Sequence, residues 1–310
     1  MIITVTLNPA MDHILVVDEF KLNVTNRIKK QFFCVGGKGT HLSVNLSILG
    51  VKNIALGVTF GIDGNRIIGE LKKYENIEVN FVHSDEGNSR TNYVLVDSHT
   101  NCTLITQNGQ ELDDKILDML LERYTSTINA GDFVVISGDA SNSKRKGFQN
   151  QLIEIAKKKG GKLFLDCSGE ALKEGIKKQP FLVKPNVDEL SYFCGRDLKT
   201  EEEIIKAMNE MATYGIPNVV VSLGKEGSLV LTNNQLYSIR VPEVDVKNTV
   251  GCGDALVSGL LAGFESNLDM TTLLKRANAI SSAAAMNESS VGFDSGLIDE
   301  LADRVVVEKI

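Results

Sequence analysis

The chain has 310 residues, 43% hydrophobic and 24% charged, with 33 Lys and Arg against 40 Asp and Glu for a formal net charge of −7. That length gives one large or two ordinary domains with ample core. The acidic balance excludes the basic footprint of a nucleic-acid binder, but not an anionic small-molecule substrate, for which local field decides.

Cys34, Cys102, Cys167, Cys194 and Cys252 are scattered, odd in number and without metal-ligand spacing, which fits a reduced, cytoplasmic compartment. No basic, apolar leader opens the sequence, and no run of about 18 uncharged apolar residues offers a membrane span.

In chain order, residues 2–7 alternate β-branched and apolar side chains and stop at Asn8-Pro9, a strand ending in a turn. Met11-Asp12-His13 follows as a turn, then residues 14–17 and 28–35 as strands. Asp12, just past the end of a core strand, is placed to touch a ligand; a plain turn residue is the alternative. Val35-Gly36-Gly37-Lys38-Gly39-Thr40 leads into a helix through His41 and Leu49 that Gly50 closes. Three glycines around one Lys at a helix N-terminus make a bare backbone loop with a point charge, suited to a sugar or phosphate. The Lys precedes Gly39 rather than Ser or Thr, so the loop is not a Walker A motif.

Residues 54–58 and 79–82 read as strands around a turn at 61–64 and a helix at 65–74. Residues 89–96 and 102–106 form a polar hairpin, with Arg90 either an anion ligand or a solvated charge. Helices follow at 113–127, 144–159, 201–214, 254–264, 270–287 and 295–304, with another carrying Glu189. Between them lie strands at 132–138, 162–168, 181–186, 218–224, 227–232, 236–239 and 241–246. This rhythm predicts a single α/β domain over 1–310 with a mostly parallel central sheet covered on both faces. Small or polar residues recur at five strand ends: Asp12, Ser137, Asp166, Lys184 with Asn186, and Ser222 with Gly224. In such a sheet these carboxyl ends share the ligand-binding side.

Residues 248–256, Asn-Thr-Val-Gly-Cys-Gly-Asp-Ala-Leu, read as a glycine turn entering an apolar helix. Asp254 sits in its first turn behind free backbone N–H groups. A carboxylate beside such an anion hole can deprotonate a hydroxyl while the N–H groups hold a phosphate; an Asp helix cap is the alternative. Position 256 is Leu, which excludes a dinucleotide fingerprint.

Together these pieces resemble the PfkB carbohydrate kinase family, on the ribokinase-like fold. Gly36-Gly37-Lys38-Gly39 before a helix, Lys184-Pro185-Asn186-Val187-Asp188-Glu189 as an Asn-x-x-Glu element, and Gly251-Cys252-Gly253-Asp254 as the Gly-Ala-Gly-Asp signature carry the likeness, in order, over the chain. The opening Thr6-Leu7-Asn8-Pro9-Ala10-Met11-Asp12 is most similar to the 1-phosphofructokinase and tagatose-6-phosphate kinase branch. The resemblance implies a three-layer αβα sandwich with a small β-sheet lid, from about residues 12–34 and 88–107. It implies ATP and Mg²⁺ as cofactors, a phosphosugar as substrate, and phosphoryl transfer to a hydroxyl of tagatose 6-phosphate or fructose 1-phosphate. A kinase for an unphosphorylated sugar or nucleoside, and a binding protein without turnover, are the alternatives.

By the same resemblance Asp254 is the base, and the N–H groups of Gly251, Cys252 and Gly253 stabilise the transferred phosphoryl. Lys184, Ser222, Gly224 and Gly227 hold ATP, Asn278 borders adenine, and Asn186 and Glu189 organise the waters of Mg²⁺, with no direct protein ligand. Asp12, Gly37, Lys38, His41 and Ser137 face the sugar, and Arg27, Lys38 and Arg90 grip its phosphate. An exposed lid edge leads us to expect a homodimer through the lids.

Three places depart from the branch. His41 stands where Asn bonds the sugar, Asp139 falls in a turn that is commonly Gly-Ser-Leu-Pro, and Gln107-Asn108-Gly109-Gln110 replaces Asn-x-Pro-Gly. All three lie on the sugar side.

Overall fold

The computed structural model describes residues 1–99, 101–138 and 142–310. The first third contributes strands β1 (Ile2–Thr6), β2 (Ala10–Val16), β3 (Lys30–Gly36), β4 (Asn53–Phe60), β5 (Ile77–Ser84), β6 (Arg90–Val96) and β7 (Cys102–Thr106), with helices α1 (Lys38–Ile48) and α2 (Gly61–Leu71). The middle adds α3 (Asp114–Thr127), β8 (Phe133–Ser137), α4 (Phe148–Lys158), β9 (Lys162–Asp166), α5 (Gly169–Ile176), β10 (Leu182–Val183), α6 (Val187–Cys194) and α7 (Glu201–Ala212). The end supplies β11 (Asn218–Ser222), β12 (Ser228–Thr232), β13 (Gln235–Arg240), α8 (Cys252–Glu265), α9 (Met270–Ala285), α10 (Ile298–Arg304) and β14 (Val306–Lys309).

The large sheet runs β14-β13-β12-β11-β10-β9-β8-β1-β4-β5. Pairing is parallel from β5 to β11 and antiparallel beyond it. Continuous apolar runs such as Val134-Val135-Ile136 and Val219-Val220-Val221 suit strands buried on both faces. Helices α3 to α7 cover one face, burying residues such as Leu120, Leu152, Leu172 and Met208. Helices α1, α8, α9 and α10 cover the other, through Leu42, Leu256, Ile280 and Leu301. The alternation of elements predicts this mostly parallel sheet covered on both faces, and the layers match the three-layer ribokinase-like sandwich that the resemblance implies. Among the described residues no helix is long and apolar enough to cross a membrane.

A second sheet, β3-β2-β6-β7, stands apart from the first. Its inner face carries Asp12, Ile14, Cys34, Asn92 and Val94, and its outer face crosses the strands through Phe33, His13, Tyr93 and Ile105, in register. His13 stacks on Phe33 at 4.1 Å between ring centroids.

Several expected boundaries move. Asp12 lies inside β2, not in a turn after a core strand. Helix α2 begins at Gly61, where a turn was expected; its φ of +56° brings the Gly87 carbonyl into the space of a Cβ. Residues 241–246 form no strand, since Pro242 lacks an N–H to donate, and β14 pairs with β13 instead. Helix α4 starts at Phe148 rather than 144. Helix α5 buries only Leu172, Gly175 and Ile176, too weak a stripe to read in advance.

Candidate active site

Strands β1, β8, β9, β10 and β11 end together on the side that the N-termini of α1 and α8 face. Thr6, Ser137 and Asp166 end three adjacent strands, Lys184 follows β10, and Ser222 ends β11, bridged to Asn186. Thr6 Oγ1, Ser137 Oγ and Asp166 Oδ2 are buried with no hydrogen-bond partner among the described residues. Buried polar atoms are rarely left so, and a row of them at strand ends marks a place built for something polar.

Two lysines converge there. Lys38 Nζ lies 3.2 Å and Lys184 Nζ 3.5 Å from Asp166 Oδ1. Burial works against the charge of Lys38, but Asp166, then Asp254 and Glu189, outweigh it and hold its ammonium above its usual range. Burial also works against the Asp166 carboxylate, and Lys184 and Lys38 reverse that and keep it ionised.

Helix α8 delivers the carboxylate. Gly251, its N-cap, has φ of +84°, and a Cβ there would lie 2.0 Å from the Ser290 carbonyl oxygen, so only glycine fits. Asn248 shapes the turn before it by accepting from the Val250 N–H at 3.0 Å. At the start of α8 the Cys252 N–H reaches the Thr249 carbonyl only at 3.5 Å, while the Ala255 N–H is bonded to the Gly251 carbonyl at 2.9 Å, and this first turn carries the positive end of the helix dipole. A Cβ on Gly253 would sit 3.5 Å from Lys184 Nζ, so the bare face of the turn looks at that ammonium. Asp254 follows, 7% exposed. Burial, then the neighbouring Asp254 charge, pushes the Cys252 thiol up to about 12, so it stays protonated.

Helix α1 opens the same way. Gly37 at φ +107° is its N-cap, and the Asp12 carboxylate fills the space a Cβ on Gly36 would need, at 1.9 Å. Asp12 accepts from Asn92 Nδ2 at 2.8 Å and Ser290 Oγ at 2.9 Å. Burial raises its pKa, but the His41 contact and these two donors outweigh it and hold it below the usual carboxylate range. His41 Nδ1 donates to Asp254 Oδ2 at 2.7 Å and its Nε2 to the Val35 carbonyl at 3.1 Å.

The structure therefore brings together Asp12, Gly37, Lys38, His41, Ser137, Lys184 and the turn from Gly251 to Asp254. Arg90 stands at the near end of the small sheet, its Nε donating to the Asn8 carbonyl at 3.0 Å. Asn186 and Glu189 cap α6 reciprocally. Gly224 and Gly227 flank a short turn after β11, with φ of +62° and +104°.

Of the remaining expected residues, one stands in a distant loop and one is bonded inside the fold. Arg27 is exposed in the loop joining β2 to β3. The site end of that hairpin is the Ala10–Gly36 pair and its far end the Val16–Lys30 pair. Six residue steps of about 3.3 Å put Arg27 roughly 20 Å from the site within one chain. Asn278 spends its amide inside the fold, accepting from Ser228 Oγ and donating to the Leu274 carbonyl. Asp139 lies outside the described residues. His41 keeps no ring nitrogen for a sugar.

Asn92 and Ser290, both on Asp12, were not singled out from sequence. Asn92 shares the inner face of β6 with Arg90, a period-two signal. Ser290 carries no local signal.

The sequence model for the pfkB family carbohydrate kinases matches residues 5–293. A 1-phosphofructokinase of Bacillus subtilis (strain 168) is 33% identical over 288 residues, 93% of each chain. Among solved structures, a possible 1-phosphofructokinase from Thermotoga maritima superposes with a TM-score of 0.89 at 30% identity, over 100% of this chain and 99% of that one. Phosphofructokinase-2 from Escherichia coli in complex with fructose-6-phosphate does so at 0.87 and 25% identity, over 97% and 98%.

Proposed function

This chain belongs to the pfkB family of carbohydrate kinases, phosphotransferases that act on an alcohol with ATP as donor, and from that premise we propose that its acceptor is a ketohexose phosphate. The observation that carries the proposal is the likeness to a 1-phosphofructokinase over nearly the whole of both chains. Fructose 1-phosphate is the first candidate and tagatose 6-phosphate the second.

In this reading the acceptor hydroxyl meets Asp254. Its proton passes to the carboxylate as its oxygen bonds to the γ-phosphorus and the bond from that phosphorus to the bridging oxygen breaks, releasing ADP. The N–H groups of Gly251, Cys252 and Gly253, with Lys184, stabilise the charge spread over the phosphoryl oxygens. Lys38 and Arg90 hold the acceptor's own phosphate. Asp12 retains lone pairs for a sugar hydroxyl beyond the two donors it already meets, and Gly37 and Ser137 supply an N–H and a hydroxyl. Ser222, Gly224 and Gly227 face the nucleotide. Glu189 and Asp166, whose Oδ2 has no partner among the described residues, are oxygen donors of the kind Mg²⁺ accepts through water. The ion, when bound with the nucleotide, would neutralise phosphate charge. The small sheet acts as the lid, and its outer row of Phe33, His13, Tyr93 and Ile105 is the surface on which a second copy docks, which sedimentation would read as a dimer.

The test is ADP release over a panel of fructose 1-phosphate, tagatose 6-phosphate, fructose 6-phosphate and the unphosphorylated hexoses. We expect the highest kcat/KM on a phosphorylated ketohexose. Turnover confined to unphosphorylated sugars or nucleosides would overturn the acceptor class, and ATP binding without turnover on any acceptor would overturn the kinase assignment.

A further inference from the structure

His41 occupies the position where the branch carries Asn, and both its ring nitrogens are engaged before any sugar arrives. Nε2 faces the Val35 carbonyl at 3.1 Å. A carbonyl only accepts, so Nε2 carries a hydrogen. Nδ1 lies 2.7 Å from Asp254 Oδ2, a distance that requires one proton between them. Imidazole is the stronger base by roughly 2–3 pH units, so that proton rests on Nδ1 and the ring is an imidazolium.

The charges facing the ring agree. Asp254 reaches it from α8, and Asp12 reaches it from β2 at 3.6 Å from Nε2, an ion-pair distance rather than a hydrogen bond. Lys38, from the start of α1, bears on Asp254 from another side. Burial opposes the ring's charge, yet the two carboxylates hold its pKa well above the ordinary 6.5. The residue is 4% exposed, and a Cβ on Gly251 would lie 3.7 Å from Nδ1, so the turn before α8 walls the ring in.

We propose that His41 is a positioning residue for the base rather than a ligand of the sugar: it clamps Asp254 by Oδ2 and leaves Oδ1 for the acceptor hydroxyl. A carboxylate's terminal torsion is broad, and an unclamped Asp254 at the head of α8 would present its oxygens over a range of directions. Because Asp12 stands on the small sheet, the contacts Asn92–Asp12–His41–Asp254 tie the aim of the base to that sheet. The proposal rests on Asp254 being the base.

Imidazole ¹⁵N NMR on the full chain without substrate tests it, with His41→Asn to assign the signal among the four histidines. At pH 7.5 we expect both His41 nitrogens protonated in the unmodified protein. In Asp254→Asn the His41 titration should fall by at least about one pH unit toward its free value. An unprotonated Nδ1 at pH 7.5 overturns the clamp. In kinetics, His41→Ala should lower kcat by about 10²-fold with acceptor KM within about threefold. His41→Asn, whose Nδ2 takes the place of Nδ1, should recover about tenfold of that loss. A rise of about tenfold or more in acceptor KM at unchanged kcat would make His41 a sugar ligand and overturn the proposal. Retained turnover in Asp254→Asn overturns the base reading and the proposal with it. An inactive Asp254→Asn beside an unaltered His41→Ala overturns the clamp alone.

Discussion

Replacing Asp166 with Asn removes one negative charge from between two ammonium groups and changes little else in shape. The side chain of Asp166 is 3% exposed and that of Lys184 6%, whereas Lys38 keeps 36%. Removing one partner of a buried ion pair costs about 3–5 kcal/mol, because the other charge stays behind. Solvent screens part of Lys38, which argues for the lower end, about 3 kcal/mol. For a domain of this size each kcal/mol moves the melting temperature by about 2 °C, so the loss should be about 6 °C. Calorimetry with and without a non-hydrolysable ATP analogue reads both halves of the argument. Without nucleotide the two lysines repel each other; with it, phosphate charge replaces the lost carboxylate, and the ligand-induced stabilisation should be larger in the variant. A melting temperature within about 1 °C of the unmodified protein, or a smaller ligand shift, would refute the reasoning.

Gly251→Ala places a Cβ 2.0 Å from the Ser290 carbonyl at a φ of +84°. Strain alone costs about 1–3 kcal/mol, so thermal unfolding should show at least that loss, and an unchanged transition would argue against the turn as described. Arg90→Ala should reduce kcat/KM for a phosphorylated acceptor by about 10–100-fold, the worth of a charge-assisted bond, with ATP KM unchanged; equal losses on unphosphorylated sugars would contradict a phosphate contact. Urea unfolding against pH should show a plateau with different edges. The His41 pKa is raised in the fold, so its contribution is complete below 6.5 and fades as pH rises through the folded value. That of Asp12 is lowered, so its contribution is complete above 3.8 and fades as pH falls through the folded value. His41→Gln should lack the alkaline decline, and identical slopes above pH 6.5 would refute the assignment.

Much of this was legible because it is local. Period-two and helical patterns mark β1, β8, β9, β11 and α3, and polar residues at strand ends mark Asp166 and Lys184 before any coordinates. Glycine at 37 and 251 announces a backbone that other residues resist. What sequence could not carry is contact between distant segments. His41 and Asp254 are 213 residues apart, and Ser290 reaches Asp12 across 278. The place of Arg27 was not legible either, because a basic residue between two strands says nothing about which end of the hairpin it occupies. The bonds of Asn278 were not legible either, because a buried amide inside a helix satisfies itself at the nearest carbonyl, here Leu274.

The clasp between His41 and Asp254 has a bearing on how the chain comes to be active. One half is made with the first 50 residues, while the other waits in a helix that packs on α1 only near the end of synthesis. Contacts of such sequence separation form late, after the entropy of closing a long loop has been overcome. A ribosome-bound or truncated chain can hold the glycine loop of α1 and much of the parallel sheet and still lack the His41–Asp254 contact. With Asp254 as the base, as proposed above, phosphoryl transfer waits on the completed fold.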